Sequence, residues 1–235
     1  MTRTLILSAL SAVMVGLGGY VYLTASQSAD PMTSQPFMAA SAQESDDAGE
    51  DVAPAEAATP EIMEMAIGAE DAPITVIEYA SMTCPHCATF HAEVYPRLIE
   101  NYVDTGQVRF VMREVYFDRP GLWATMVARC GGEMRYFGIV EMLMEDQREW
   151  VQGQPAEILE NLRRIGRRAG LEDAQIDACM TEDFARGLYS QYEAHLEEHD
   201  ISGTPSFVIN GELYSNMGYS AFADILDGLL ADAEG

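Results

Sequence analysis

The chain has little positive charge. Its 235 residues include 13 Lys and Arg against 38 Asp and Glu, which gives a formal net charge of −25 at pH 7. A surface of this sign repels phosphate backbones, so nucleic acid is not an expected partner. The charge indicates nothing more specific, because a salt-adapted source would produce the same balance.

Cysteine is also scarce, with four residues in the whole chain. Cys84 and Cys87 form one Cys-x-x-Cys motif, whereas Cys130 and Cys179 stand far apart and form no second one. A structural zinc site needs four ligands, and half of such a site resembles a single Cys-x-x-Cys. The missing second pair therefore favours a redox-active dithiol over a metal site, and we expect no bound metal.

Aromatic residues are nearly absent from residues 25–60, where Phe37 is the only one among mostly Ala, Ser, Asp, Glu, Gln and Pro. This composition cannot bury enough apolar surface to offset the entropy of ordering, which predicts a disordered acidic linker. Residues 1–24 carry Arg3 followed by an apolar run from Leu5 to Leu23. The run fits either a cleaved signal peptide or a retained membrane anchor.

Both alternatives place the rest of the chain across a membrane from Arg3, because positive charge is retained on the cytoplasmic side. An even number of cysteines in an exported chain is typical of an oxidising compartment. We therefore expect a periplasmic protein, either soluble after cleavage or tethered by its N-terminal segment.

The Cys-x-x-Cys motif lies between a predicted strand, Ile74–Ala80, and a helix predicted from Pro85 to about Val103. A helix N-terminus carries partial positive charge and unpaired N–H groups, which favour a thiolate over a thiol. The thiolate is the form that attacks disulfides. Cys84, nearest the N-terminus, is predicted to be the nucleophile, and Cys87, one turn further, the buried resolving thiol.

His86, between the two cysteines, can stabilise the Cys84 thiolate through a cationic or N–H-donating imidazole. A stabilised thiolate favours the reduced form and makes the disulfide a stronger oxidant. The alternative is an exposed imidazole without effect.

The order of elements predicts the fold. Residues 61–118 show a strand–helix–strand pattern, residues 119–199 are helical throughout, and residues 200–235 show two strands and a helix. This order predicts an α/β thioredoxin-like fold with an inserted α-helical domain, in which Trp123 and Trp150 belong to the core of the insertion.

Two segments carry a family resemblance. The stretch DAPITVIEYASMTCPHC (71–87) and the stretch GTPSFVING (203–211) resemble the DsbA family of exported thiol-disulfide oxidoreductases. The resemblance extends from about Glu61 to the C-terminus. By themselves, Cys130 and Cys179 could form a structural disulfide or remain buried free thiols, and they are similar to the extra disulfide of the alphaproteobacterial branch.

The resemblance implies a function. A DsbA-like protein introduces disulfides into unfolded or newly exported cysteine-containing proteins, is reoxidised by a quinone-linked, DsbB-like membrane partner, and needs no bound cofactor. We expect a monomer. A disulfide reductase or isomerase of the same fold remains an alternative, because Thr204 before Pro205 departs from the Val of the best-known oxidases and occurs in isomerases too. A non-catalytic chaperone is the second alternative.

The resemblance also implies further site residues. Pro205 is expected to be cis and to face the motif, leaving the main chain of Thr204 free to pair with an extended substrate. Glu78 matches a buried acid that aids proton transfer with a basic partner, for which Arg113 is the candidate. The alternative is that Glu78 points outward on its strand.

One further motif is present in the helical block. His195 and His199 fit an H-x-x-E-H zinc pattern. No third ligand can be named from the sequence, so we interpret the two histidines as part of a solvated helix face.

Overall fold

The structure is a computed structural model that describes residues 62–233. The predicted signal or anchor (1–24) and the predicted linker (25–60) lie outside the described residues. Within 62–233, no helix combines the length and the apolar character that crossing a bilayer requires.

A five-stranded mixed sheet forms the centre of the described part. Its strands in chain order are β1 (Met65–Ile67), β2 (Ile74–Ala80), β3 (Val108–Glu114), β4 (Ser206–Ile209) and β5 (Glu212–Ser215). In space the order is β1-β3-β2-β4-β5. Strands β2 and β3 are parallel and the other neighbours are antiparallel. The Cys-x-x-Cys motif thus follows the central strand of the predicted thioredoxin-like fold.

The helix after the motif is interrupted, although the sequence predicted one continuous helix. Helix α1 (Pro85–Glu93) ends before Val94, α2 (Tyr95–Leu98) follows, and a π-helical turn covers Ile99–Val103. The break lies next to Pro96, which has no N–H to donate and whose ring clashes with the carbonyl four residues earlier. Val94 accordingly has a φ of −113°.

Consecutive helices separate β3 from β4. They are α3 (Arg119–Cys130), α4 (Glu133–Glu145), α5 (Gln147–Trp150), α6 (Pro155–Arg168), α7 (Asp173–Cys179) and α8 (Glu182–His199). Helix α9 (Tyr219–Ala233) follows β5. Trp150 is 1% exposed, whereas Trp123 is partly buried and packs against the same core. The helical insertion of the predicted fold is therefore present.

A buried ion pair joins the insertion to the sheet. Arg129 on α3 donates to both carboxylate oxygens of Glu114 at the end of β3, each over 2.7 Å. The Tyr136 hydroxyl donates to the same carboxylate over 2.6 Å, and Arg129 also donates to the main-chain carbonyl of Met63 over 2.7 Å. Both charged side chains are less than 5% exposed. This cluster fixes α3 against β3.

Cys130 and Cys179 are disulfide-bonded in the structure. The bond joins the last residues of α3 and α7, whose Cα atoms are 5.8 Å apart, within the usual range for disulfides. The two cysteines of the predicted structural disulfide are therefore paired with each other in the structure.

Changing both Cys130 and Cys179 to Ala should lower the melting temperature without impairing the chemistry at Cys84. The bond joins residues that are 49 positions apart in the sequence. Loop-closure entropy therefore limits its contribution to the free energy of unfolding to at most roughly 4 kcal/mol. Calorimetry with a thiol-reactivity assay would check this expectation. An unchanged melting temperature, or loss of Cys84 reactivity in a folded variant, would contradict it.

Candidate active site

The active-site candidate is the turn between β2 and α1. Cys84 is the N-cap of α1, with extended backbone angles (φ −80°, ψ 118°), and Pro85 begins the helix. Proline is tolerated there because the first helical N–H groups have no partner inside the helix. Cys84 is 7% exposed, Cys87 is 0% exposed, and both are free thiols. Cys84 is thus the slightly more exposed of the two thiols, and its role as the nucleophile stays a prediction.

Gln147, from the helical insertion, supports the turn. Its amide nitrogen donates to the main-chain carbonyls of Met82, over 2.9 Å, and of Cys84, over 3.0 Å. Gln147 is only 5% exposed, so these bonds satisfy buried polar groups that would otherwise be costly. The insertion therefore helps to fix the conformation of the reactive turn.

The surroundings of Cys84 favour its thiolate. The Cys87 thiol is the main cause, because its hydrogen bond to the Cys84 sulfur lowers the pKa of Cys84 to about 5. Burial opposes this shift, while the Thr204 hydroxyl and the N–H groups of Cys87 and His86 add to it. In the thiol form, Cys84 donates to the main-chain carbonyl of Thr204 over 3.4 Å. The Thr204 hydroxyl, which has no other hydrogen-bond partner among the described residues, is the group that can donate to the thiolate.

Cys87 has the opposite character. Its hydrogen bond to Cys84 raises the pKa of Cys87 well above the usual range, and burial and the negative charge of Glu78 raise it further. Two thiols three residues apart thus differ strongly in acidity. Cys84 is the more acidic thiol, and Cys87 is the less acidic one.

The loop before β4 faces the motif. The Thr204–Pro205 peptide bond is cis, as predicted, and Pro205 is buried. The contact between the Cys84 sulfur and the Thr204 carbonyl shows that this main chain lies beside the first cysteine of the motif.

Glu78 is completely buried, so the alternative of an outward-pointing residue is wrong. Its basic partner is His91 on α1, whose Nε2 lies 3.0 Å from the Glu78 Oε2. The predicted pairing with Arg113 is also wrong. The parallel register places Glu78 opposite Met112 and Tyr79 opposite Arg113. Because adjacent strand residues point to opposite faces, Arg113 lies on the other face of the sheet.

Arg113 belongs to a separate cluster under α8. It donates to Glu64 over 3.0 Å, to Glu198 over 2.6 Å and to the Tyr79 hydroxyl over 2.8 Å. The Nδ1 of His199 lies 2.8 Å from the same hydroxyl.

These contacts correct the interpretation of the H-x-x-E-H pattern. His195 and His199 are both half-buried, so assigning them to a solvated face was wrong. Among residues 62–233, no group of three or more His, Cys, Asp or Glu side chains is arranged to hold a metal ion. His199 instead contacts the tyrosine that Arg113 also binds.

The side chain of His86 is exposed. Its main-chain N–H is one of the groups that lower the pKa of Cys84. The predicted effect of the His86 imidazole on the pKa of Cys84 therefore stays a prediction, and it is distinct from the effect of the His86 main-chain N–H.

Sequence reasoning missed His91 and Gln147. His91 could have been found, because it lies four residues after the buried Cys87 and hence on the same face of α1. Gln147 carries no comparable signal, since it meets the motif only through the tertiary fold, 63 positions from Cys84.

Comparison with known proteins identifies the family of the chain. The model of the thioredoxin family matches residues 60–228. A Rickettsia bellii protein, provisionally named a protein-disulfide oxidoreductase, is 28% identical over 174 residues, which cover 73% of this chain and 66% of the relative. The chain thus spans slightly less than two thirds of that relative's length.

Two solved structures extend the comparison. The crystal structure of Wolbachia pipientis alpha-DsbA1 has a TM-score of 0.67 and 26% identity, covering 75% of this chain and 95% of that chain. Oxidised BdbD from Bacillus subtilis has a TM-score of 0.63 at 20% identity, covering 72% and 93%, and shows the shared fold. The resemblance to DsbA proteins is thereby confirmed.

Proposed function

This chain belongs to the thioredoxin family, and we propose that it is a DsbA-type protein thiol-disulfide oxidoreductase working as an oxidase. The observation that carries the proposal is the difference between its two thiols. The environment lowers the pKa of Cys84 to about 5 and raises that of Cys87. Cys84 is the proposed nucleophile, and Cys87 is the proposed resolving thiol.

The same observation supports the direction of the reaction. Stabilising the Cys84 thiolate lowers the free energy of the reduced form only, because the disulfide form has no thiolate. Each pKa unit favours reduction by about 1.4 kcal/mol, or about 30 mV for a two-electron couple. A disulfide that is reduced this readily oxidises the thiols of its substrates. DsbA is the known example, since it is a strong oxidant because its reduced form is stabilised.

The cis Pro205 loop supports a protein substrate. The main chain of Thr204 lies beside Cys84 and can pair with an extended segment by strand addition. The substrates we propose are unfolded or newly exported cysteine-containing proteins in the periplasm. A quinone-linked, DsbB-like membrane partner would restore the disulfide, and the enzyme would act as a monomer.

Oxidation of a reduced, unfolded protein tests the proposal. One equivalent of the oxidised enzyme should form disulfides in the substrate within a single turnover, with the loss of substrate thiols followed by mass spectrometry. A Cys84→Ser variant should be inactive because it lacks the nucleophile. Equal effects of wild type and variant on substrate folding would instead indicate a chaperone.

The His86→Ala variant should be a weaker oxidant than the wild type. Removing an imidazole next to the thiolate destabilises the reduced form and leaves the disulfide form almost unchanged. The reduction potential should therefore fall, by about 30 mV for each unit by which the pKa of Cys84 rises. Equilibration with a glutathione buffer measures the difference. An equal or higher potential would show that the His86 imidazole makes no contribution to the acidity of Cys84.

A further inference from the structure

A groove follows α1 and α2, and residues of α4 form its opposite wall. It has a volume of about 750 Å³ and opens to solvent. Its lining includes Pro85, the residue after Cys84, and extends along the chain to Asp104. Gln147, which donates to the main-chain carbonyl of Cys84, lines it as well. The groove therefore begins beside the reactive turn.

The walls of the groove carry an excess of negative charge. Five carboxylates, among them Asp104, Glu141 and Glu145, line it together with one guanidinium, that of Arg148. All five carboxylate residues are exposed, and none of them makes an ion pair within the part of the chain that the structure describes. Because these charges are not neutralised by the protein, a cationic group that enters the groove is attracted to them.

Apolar surface separates the carboxylates. Ala88 and Ala92 of α1 and Pro96 of α2 line the groove, and the last two are exposed to solvent. A Lys or Arg side chain combines an apolar stem with a charged end, and it buries the stem along apolar surface while the end stays among polar groups. The groove offers surfaces for both parts of such a side chain.

Tyr95 contributes a polar group to the same groove. It lines the groove although it is only 2% exposed. Its hydroxyl makes no hydrogen bond within residues 62–233, and it is not among the fully enclosed unpaired atoms, so it keeps an accessible side. Burial and the negative charges of Glu141, Glu78 and Asp104 raise the pKa of Tyr95. A buried tyrosine hydroxyl normally has a partner, and this one is free to accept a hydrogen bond from an ammonium or guanidinium group.

Charge also excludes this protein's own segments as the occupant. Residues 25–60 contain several carboxylates and no Lys, Arg or His, and a second copy of the chain carries the same net charge of −25. Both would be repelled by the groove. The occupant that fits is a cationic segment of another protein.

We propose that this groove binds a Lys- or Arg-bearing segment of the unfolded substrate while a cysteine of that substrate reacts at Cys84. The inference rests on the proposed function and adds a substrate preference to it. From Pro85 to Pro96 the two helices extend about 17 Å, at 1.5 Å per residue. An extended segment covers that distance in about five residues. Basic side chains about four to six residues from the reacting cysteine therefore lie over the groove.

Three dithiol peptides test the preference. They share one pair of cysteines and carry Lys, Ser or Glu triplets about four to six residues away on both sides. The oxidised enzyme converts each dithiol to a disulfide as its own disulfide is reduced, and acid quenching with mass analysis gives the rate. At low ionic strength the Lys peptide should react about tenfold faster than the Ser peptide, and the Glu peptide more slowly than both. About 1 M salt should remove most of the difference.

Two triple variants with the same change in net charge locate the effect. In Asp104→Asn/Glu141→Gln/Glu145→Gln the preference for the Lys peptide should fall to about twofold or less. In the control, Glu70→Gln/Asp224→Asn/Asp232→Asn, it should stay near tenfold, because these exposed carboxylates lie outside the groove.

Two results would overturn the proposal. One is equal rates of the wild type with the Lys and Ser peptides. The other is an equal loss of preference in both triple variants, because the rate would then depend on net charge and not on the groove. Failure of the wild type to oxidise even the Ser peptide would instead refute the proposed function.

Discussion

At pH 5.5, Cys84 should react with a small disulfide reagent roughly 20 times faster than an ordinary cysteine thiol, by the following arithmetic. With a pKa of about 5, most of Cys84 is thiolate at this pH. A free cysteine with a pKa of about 8.5 is about 0.1% thiolate, a disadvantage of several hundred-fold. A thiolate of lower pKa is also a weaker nucleophile, which reduces the advantage of Cys84 by a factor of about 40.

A pH series with a pyridyl disulfide reagent measures this difference. The Cys84 rate should reach half its maximum near pH 5, the value that its surroundings impose. Cys87, with no exposed surface, should remain unmodified by an alkylating reagent. Labelling of both thiols with a midpoint near that of free cysteine would contradict the expectation.

The same shift makes the stability of the reduced protein depend on pH. The folded pKa of Cys84 lies below its unfolded value, so the unfolded state binds more protons between the two values. The reduced protein should therefore gain stability relative to Cys84→Ser as the pH rises from about 5 to about 8.5, and lose it as the pH falls through 5. The raised pKa of Cys87 acts at higher pH and in the opposite direction, because that thiol begins to ionise in the unfolded state only as the pH approaches about 8.5.

Arg129→Met should strongly destabilise the protein. It leaves the Glu114 carboxylate buried without its bidentate partner, and breaking such a pair typically costs about 3–5 kcal/mol. The Glu114→Gln/Arg129→Met double variant should lose less stability, because it leaves no unpaired charge. Denaturation by urea measures the three free energies of unfolding.

An exposed pair provides the control. Arg163 is paired with Asp177, and their side chains are 30% and 62% exposed. Since surface pairs contribute about 0–1 kcal/mol, Arg163→Met should have little effect. If Arg129→Met and Arg163→Met were equally stable, the cluster around Glu114 would not be what fixes α3 against β3.

Local patterns were sufficient to predict much of this molecule. The apolar run Ile74–Ala80, the Cys-x-x-Cys motif and the Asn210–Gly211 turn each specify their own conformation within a few residues. The turn confirms this, with φ values of 47° and 89° that Asn and Gly tolerate best. The family resemblance then supplied the cis bond at Pro205.

Most of what failed depended on contacts between distant segments. Choosing Arg113 as the partner of Glu78 required knowing the register of β2 and β3, and a shift of one residue moves a side chain to the opposite face. One failure was local: Pro96 signals the break at Val94, but the helical spacing of the apolar residues favoured a continuous helix. The role of Gln147 depends on how the insertion packs over the reactive turn.

The reduction potential of the Cys84–Cys87 pair tests the proposed direction most directly. Thioredoxin combines a nucleophile pKa near 7 with a potential of about −270 mV. A Cys84 pKa of about 5 adds roughly 60 mV at about 30 mV per unit, which predicts a value near −210 mV or higher. Equilibration with defined ratios of reduced and oxidised glutathione, followed by acid quenching and mass analysis, gives this value. A potential at or below about −270 mV would contradict the account, because the enzyme would then be poised as a reductant.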